Sequence, residues 1–242
     1  MTTTARTAAA RPGPDNPVNP ILVVSRIPTT TMYVPIIGTS PLIVSKFSTK
    51  AKQQMLDAQQ GRKSPKKLRD PEREYLDSMY TGLDGTGKQL YGFPVTGFKA
   101  ATVSAARFYG KDVKMTELRQ FIFMKGRFFP EEGQQLAVVN GTPHIREDYV
   151  RLAGAGRPAD LRYRAEFTDW STVLEVTYVS SLLSKESVLS LIDAGGFGVG
   201  VGEWRPEHRG EFGTYTIDES RDSEQAKAWI DALEAADKVT VK

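Results

Sequence analysis

The sequence contains no cysteine. Disulfides, thiolate nucleophiles and cysteine-ligated zinc or iron–sulfur centres are therefore excluded, a pattern that fits a cytosolic protein. Histidine is almost as scarce, with only His144 and His208, which leaves little for a multi-histidine metal site. No apolar run approaches the eighteen or so residues that a membrane-spanning helix needs. The opening stretch MTTTARTAAARPGPDNPVNP has no apolar h-region of a secretory signal. Its prolines, from Pro12 on, also interrupt the amphipathic helix of a transit peptide. Internal repeats are absent.

What is present suits one large domain: 242 residues, 40% of them hydrophobic and 10% aromatic. The net charge of +3 matters less than its distribution. Lys46, Lys50, Lys52, Arg62, Lys63, Lys66, Lys67, Arg69 and Arg73 face only Asp57, Asp70 and Glu72 in the same stretch, whereas residues 218–237 are acidic. That asymmetry points to a polyanion partner on one side, RNA or single-stranded DNA. The weighed alternative is a solubilising helix pair. The expected division is a flexible arm over 1–19, a core domain over 20–217 with an insertion at about 46–92, and an acidic helix and tail over 218–242.

Along the chain, ILVVSR and MYVPIIGTSPLIV read as strands, with Pro35 implying an edge or a bulge. Helices are predicted over Ser48–Gln60, Pro71–Tyr80, Pro94–Tyr109, a short segment capped by Thr116, Lys185–Ala194 and Asp222–Ala236. Strands are predicted over Lys125–Phe129, Gln135–Val139, Leu161–Phe167 and Val173–Val179, the last two as a hairpin about Thr168–Ser171. GTPHIRED and RPEHRG read as exposed loops. Residues Gly82–Gln89 nearly match a phosphate-binding loop. The context is wrong, with a helix before and no helix after, so a loop tip is the better reading. The resulting order is the split βαβ order of a ferredoxin-like or RRM-type domain. The fold class is thus α+β, an antiparallel sheet core carrying a basic helical insertion and a C-terminal helix.

The densest signal lies at Gly195–Gly213. Glycine recurs at Gly196, Gly198, Gly200 and Gly202, and Trp204-Arg205 follows. The spacing is not a Rossmann fingerprint, and the run follows a helix instead of a strand. Two readings compete, and the run's place between the last helix and last strand of an RRM-like core favours the first, with Trp204, Arg205 and Arg209 as the side chains to test. Alternating glycine leaves one face of an extended segment bare for a flat ligand; alternatively, it lets a strand pack tightly on a helix. On the ligand reading, Lys99, Arg107, Arg146, Arg151, Arg162, Arg164, Arg205 and Arg209 would line a groove with His208. Phe93, Phe98, Tyr163, Trp170 and Trp204 are the stacking candidates, although core packing is the better reading for Phe98. The carboxylate pairs Glu131-Glu132 and Glu147-Asp148, or His208, could serve a metal-dependent nuclease. Nothing in the sequence supplies the rest of such a mechanism, so no cofactor and no catalysis are expected.

SVLSLIDAG followed by GFGVGVGEWRPEHRGEFGTYTI resembles the C-terminal glycine-rich signature of RAMP proteins, the RRM-like subunits of CRISPR surveillance complexes. Gly196-Phe197-Gly198 or Gly198-Val199-Gly200 takes its first part. Gly210–Gly213 takes the second, with one residue more between the glycines. Phe93–Ala101 (FPVTGFKAA) is similar to the family's helix start, with Lys99 at its lysine and Arg107 beyond the usual arginine. The PLIV, KAKQQML and VGVGEWRPE landmarks also resemble a group of phage and prophage proteins. The resemblance implies an RRM-type fold, non-catalytic binding of RNA or single-stranded DNA, head-to-tail self-association along the strand, and a bacterial host cytoplasm. The alternative is a structural protein of a phage-like particle or filament.

Overall fold

A computed structural model describes residues 24–47, 49–62, 68–151, 156 and 159–239. The proposed arm, most of ILVVSR, and Lys63, Lys66 and Lys67 lie outside the described residues. The main sheet joins β1 (Thr29–Gly38), β5 (Ile122–Lys125), β10 (Ser171–Val179) and β11 (Tyr215–Ile217) in the order β11-β1-β10-β5, with every pairing antiparallel. Helix α3 (Val95–Ser104) lies between β1 and β5 in the chain, and α5 (Lys185–Gly198) between β10 and β11. Within this sheet the chain therefore runs βαββαβ with spatial order 4-1-3-2, which is the ferredoxin-like arrangement. It follows from the alternation in β1: Met32, Val34 and Ile36 are buried toward the helices with Leu174, Val176 and Tyr178 of β10.

Two further sheets attach to this core. One has the order β2-β9-β8, from β2 (Leu42–Val44), β8 (Pro143–Arg151) and β9 (Ala159–Phe167). The other is β3-β4-β7-β6, from β3 (Tyr80–Leu83), β4 (Gln89–Pro94), β6 (Arg127–Phe129) and β7 (Gln134–Val139). Leu90, Phe129, Leu136 and Val138 form a second small core, closed by Trp229 and Leu233 of α6 (Ser223–Val239). The predicted insertion holds α1 (Thr49–Gln59) and α2 (Pro71–Asp77) as expected, but also strands β3 and β4. Asp70 caps α2 by accepting from the Arg73 N–H, and Ser184 caps α5 by accepting from the Ser187 N–H.

Several elements differ from the sequence reading. Lys125–Phe129 is not one strand. It breaks at Gly126, where a side chain would run into the Leu136 carbonyl at 2.5 Å, and the chain steps there from one sheet to another. Residues 161–167 and 173–179 are not a hairpin, because β9 and β10 belong to different sheets. Trp170 between them is buried against Gly38, and its indole donates to the Ser40 carbonyl. GTPHIRED is strand β8, not an exposed loop. Pro35 lies inside β1, at the point where the short β11 ends; the Asp218 N–H reaches its carbonyl. Helix α4 (Met115–Phe121) begins after Lys114, with no side-chain cap from Thr116. The helix predicted to reach Tyr109 tightens into a 3-10 turn after Ser104, which swings Phe108 out of the core stripe. Residues Gly82–Gln89 are the β3–β4 hairpin tip, where Asp84 accepts from the Thr86 and Lys88 N–H groups.

The largest correction concerns the glycine run. Helix α5 does not stop at Ala194 but continues through Gly198. A side chain at Gly195 would meet the Ala101 backbone of α3 at 2.9 Å, and one at Gly196 would collide with the Tyr215 carbonyl of β11. Gly198 carries the Phe108 ring. Gly195 and Gly196 are there for close approach of backbones and Gly198 for an aromatic ring, which is the packing reading. Gly196→Ala is therefore expected to destabilise the protein by about 1–3 kcal/mol or more through overpacking. Phe197→Ala, one residue on and exposed, should change stability by less than about 0.5 kcal/mol. Urea unfolding of the two variants checks this.

Candidate nucleic-acid interface

The segment after α5 is a loop, Val199–Thr214, fastened to β2. Glu203 N–H donates to the Ile43 carbonyl and Gly213 N–H to the Pro41 carbonyl, while Val201 N–H and Phe212 N–H close the loop on Gly213 and Trp204. Gly200 and Gly202 have φ of 71° and 78°, values that favour glycine. Trp204 has a φ of 55° with no such excuse. A left-handed conformation in a bulky residue is strained by roughly 1–3 kcal/mol and persists only where its surroundings impose it. Here the hydrogen bonds on either side of Trp204 do so, and its side chain remains 42% exposed. His208 ends a 3-10 turn and Arg209 follows at φ 65°; both are exposed.

The β8–β9 register places His144, Arg146 and Asp148 opposite Glu166, Arg164 and Arg162 on one face of the hairpin. Arg146 donates to Asp148 at 2.9 Å and Glu166 at 2.7 Å, and its guanidinium lies 4.6 Å from the centroid of the Phe212 ring. Burial lowers its pKa, but those carboxylates outweigh burial and hold it above the usual arginine value. Arg164 is 6% exposed, reaches Asp148 at 3.4 Å and Glu203 at 3.9 Å, and leaves its Nε without a hydrogen-bond partner. Arg162 is 3.8 Å from Asp160. Glu203 and Phe212 thus join the loop to the charged hairpin face.

A cleft of about 220 Å³ opens on the other side of the loop. Gly97 and Ala100 of α3 line it with Tyr80, Gly200, Gly202 and Arg205. Arg205 donates to Glu207 at 3.0 Å and to the Gly202 carbonyl at 3.1 Å, and Arg107 stands 3.7 Å from Glu207. Lys46 pairs with the buried Glu132 and lies 5.9 Å from the Tyr80 ring centroid, near the cleft margin.

Arg107, Arg146, Arg164, Gly200, Gly202, Trp204 and Arg205 are therefore brought together around one loop. Gly196 and Gly198 are packed inside α5. Lys99 sits over the Phe123 ring at 4.6 Å, its pKa lowered by burial. Lys52 and Arg62 are exposed at α1 and just beyond it, and of Lys50 only its place in α1 is described. Phe93, Phe98 and Trp170 are core residues and cannot stack on a ligand. Sequence reasoning missed Glu203, Glu207 and Phe212, whose roles depend on long-range contacts. It also missed Phe197, 81% exposed; its position off the buried stripe of α5 was the available signal.

The sheet face that a ferredoxin-like domain can open to nucleic acid is covered here on its β1 side, while Phe123 of β5 stays exposed. Helix α6 lies against β1, Ser223 accepts from the Tyr33 N–H at 3.3 Å, and Ile230, Leu233 and Glu234 border a cavity of about 350 Å³ with Val173 and Glu175. Burial, and then Glu175, Asp231 and Glu234, raise the pKa of the Tyr33 hydroxyl. An acidic helix occupies the ground a phosphate backbone would need. Among the described residues, no three His, Asp or Glu side chains converge to hold a metal, and no helix is long and apolar enough to cross a membrane.

No protein-family model matches the chain, and no curated protein matches it. Among solved structures, the chain is similar to Cmr6 from Pyrococcus furiosus at a TM-score of 0.36 and 11% identity, over 80% of this chain and 100% of that one. It is also similar to a chain of a CRISPR RNA-guided surveillance complex at a TM-score of 0.29 and 11% identity, over 67% of this chain and 58% of that one. Likenesses at this level carry neither a family nor an activity, and the ferredoxin-like order rests on the strand pairing alone.

Asp148→Ala removes the nearest acid to a nearly buried guanidinium. It is expected to destabilise the fold by about 3 kcal/mol, against less than about 1 kcal/mol for the exposed Arg162→Ala. Chemical denaturation at neutral pH distinguishes the two.

Proposed function

We propose that this protein binds single-stranded nucleic acid, RNA or DNA, without cleaving it, and that copies assemble along the strand. The observation that supports this reading best is Trp204. The loop holds it in a strained conformation with its indole exposed, beside Arg205 and next to the face bearing Arg146 and Arg164. A base can stack on the indole while Arg205 and the half-buried Arg146 meet phosphates, exchanging carboxylate partners for phosphate oxygens; the buried Arg164 holds the face in place. The paired arginines make this a positioned interface, not a loose cationic cloud, and each phosphate contact, with the basic stretch beside it, adds to the salt dependence of affinity. The ligand follows the loop and the hairpin, because the acidic α6 lies against β1 of the main sheet. The basic stretch from Lys46 to Lys67 extends the same reading as an electrostatic approach surface. A role in a phage or prophage, in a bacterial cytoplasm, is the setting proposed from the sequence landmarks.

Fluorescence anisotropy with labelled single-stranded RNA and DNA tests this. Binding should weaken steeply with added salt, and Trp204→Ala should weaken it about tenfold or more, the effect of losing one stacked base. No binding at low salt, or full affinity in Trp204→Ala, contradicts the reading. Magnesium should leave the bound oligonucleotide uncut.

A further inference from the structure

Ile21–Ile27, ILVVSRI, lies between Pro20 and Pro28 and has the composition of a strand. Yet Val24–Ile27 are exposed, form no strand, and make no backbone hydrogen bond among the described residues. The Pro28 carbonyl accepts from Ser180, so the segment joins the molecule at the end of the β1–β10 pair. Elsewhere, β8 is an edge strand of nine residues whose outer side makes no backbone hydrogen bond among the described residues. Ile145 and Tyr149 stand exposed on it, Tyr149 at 78%. The opposite edge of that sheet, β2, is already taken by Glu203 and Gly213 of the loop. The edges of the other two sheets are strands of three or four residues. A long unpaired edge bearing apolar side chains is a template for strand addition.

We infer that Ile21–Ile27 of one copy adds as a strand to the β8 edge of a second copy. The seven residues fit within the nine of β8. Alternation puts Leu22, Val24 and Arg26 on one face of the added strand, and Ile145, Glu147 and Tyr149 on one face of β8. In an antiparallel register that sets Arg26 opposite Glu147, Val24 falls opposite Tyr149 and Leu22 opposite Arg151. The inference rests on the self-association part of the proposed function and not on nucleic-acid binding.

The absence of cysteine allows a direct test. Val24→Cys protein and Tyr149→Cys protein, mixed after nuclease treatment and given a short bismaleimide, should yield a cross-linked dimer containing one of each. Untreated wild-type protein should sediment as an oligomer, and Val24→Asp/Ile27→Asp, changed only at exposed positions, as a folded monomer. A monomeric wild type, an oligomer that survives the double substitution, or a cross-link formed only within one Val24→Cys/Tyr149→Cys chain overturns the inference. An assembled protein that binds no oligonucleotide refutes the nucleic-acid reading and leaves this one standing.

Discussion

Where α5 crosses α3 and β11, the three backbones come so close that no side chain fits between them. Gly195 faces the Ala101 peptide and Gly196 faces the Tyr215 carbonyl. This contact fixes the height of α5 above the sheet, and with it the point where the chain leaves the helix. Phe98, Trp170 and Tyr215 pack edge to tilted around it, with ring centroids 5.6–6.4 Å apart. Because α5 ends where it does, Val199–Thr214 reaches β2 and can hydrogen-bond to its outer edge. The loop is therefore part of the sheet architecture and not an appendage.

That anchoring connects packing to the candidate chemistry. With Glu203 tied to Ile43 of β2 and Gly213 to Pro41 just before it, the loop interior must close on itself through left-handed turns, and the strain falls on Trp204 and Arg209 as well as on glycine. Glu203 and Phe212 carry the loop onto the β8–β9 face, where Arg146 and Arg164 are held by carboxylates. Buried ion pairs add little net stability but hold guanidinium groups in fixed geometry. Meanwhile α6 packs against β1 and closes the second core through Trp229 and Leu233, with Ile230 and Leu233 bordering the cavity between. The acidic end of the chain thus does structural work, and the cationic groups are displaced to the loop side.

Much of this order was legible in the sequence. The alternation in β1 and β10, the cap at Ser184, the proline that opens α2 and the apolar stripe of α6 are local signals, and the ferredoxin-like order follows from them. What failed to read was set at long range. Glycine normally ends a helix, and only the neighbouring backbones of Ala101 and Tyr215 explain why α5 runs on through Gly198. The strand β8 carries Arg146, Glu147 and Asp148 in a row because one of its faces meets the charges of β9, so its sequence resembles a loop. Trp170 and Trp204 look alike in sequence; one fills the space over Gly38 and the other lies on the surface. The cationic loop was visible, but the carboxylates that hold it were not, since Glu203 is matched to the distant Arg164, and Glu207 reaches Arg107 as well as the neighbouring Arg205.

The central claim is that nucleic acid meets the glycine-rich loop and the charged hairpin face instead of the main sheet. Photo-cross-linking of the protein to a single-stranded oligonucleotide, with the attached residues read by mass spectrometry, tests it most directly. The account predicts attachment within 199–213 and 143–167, with Trp204 prominent. Attachment centred on Tyr33, Phe123 and the residues beneath α6, with none on the loop, would contradict it.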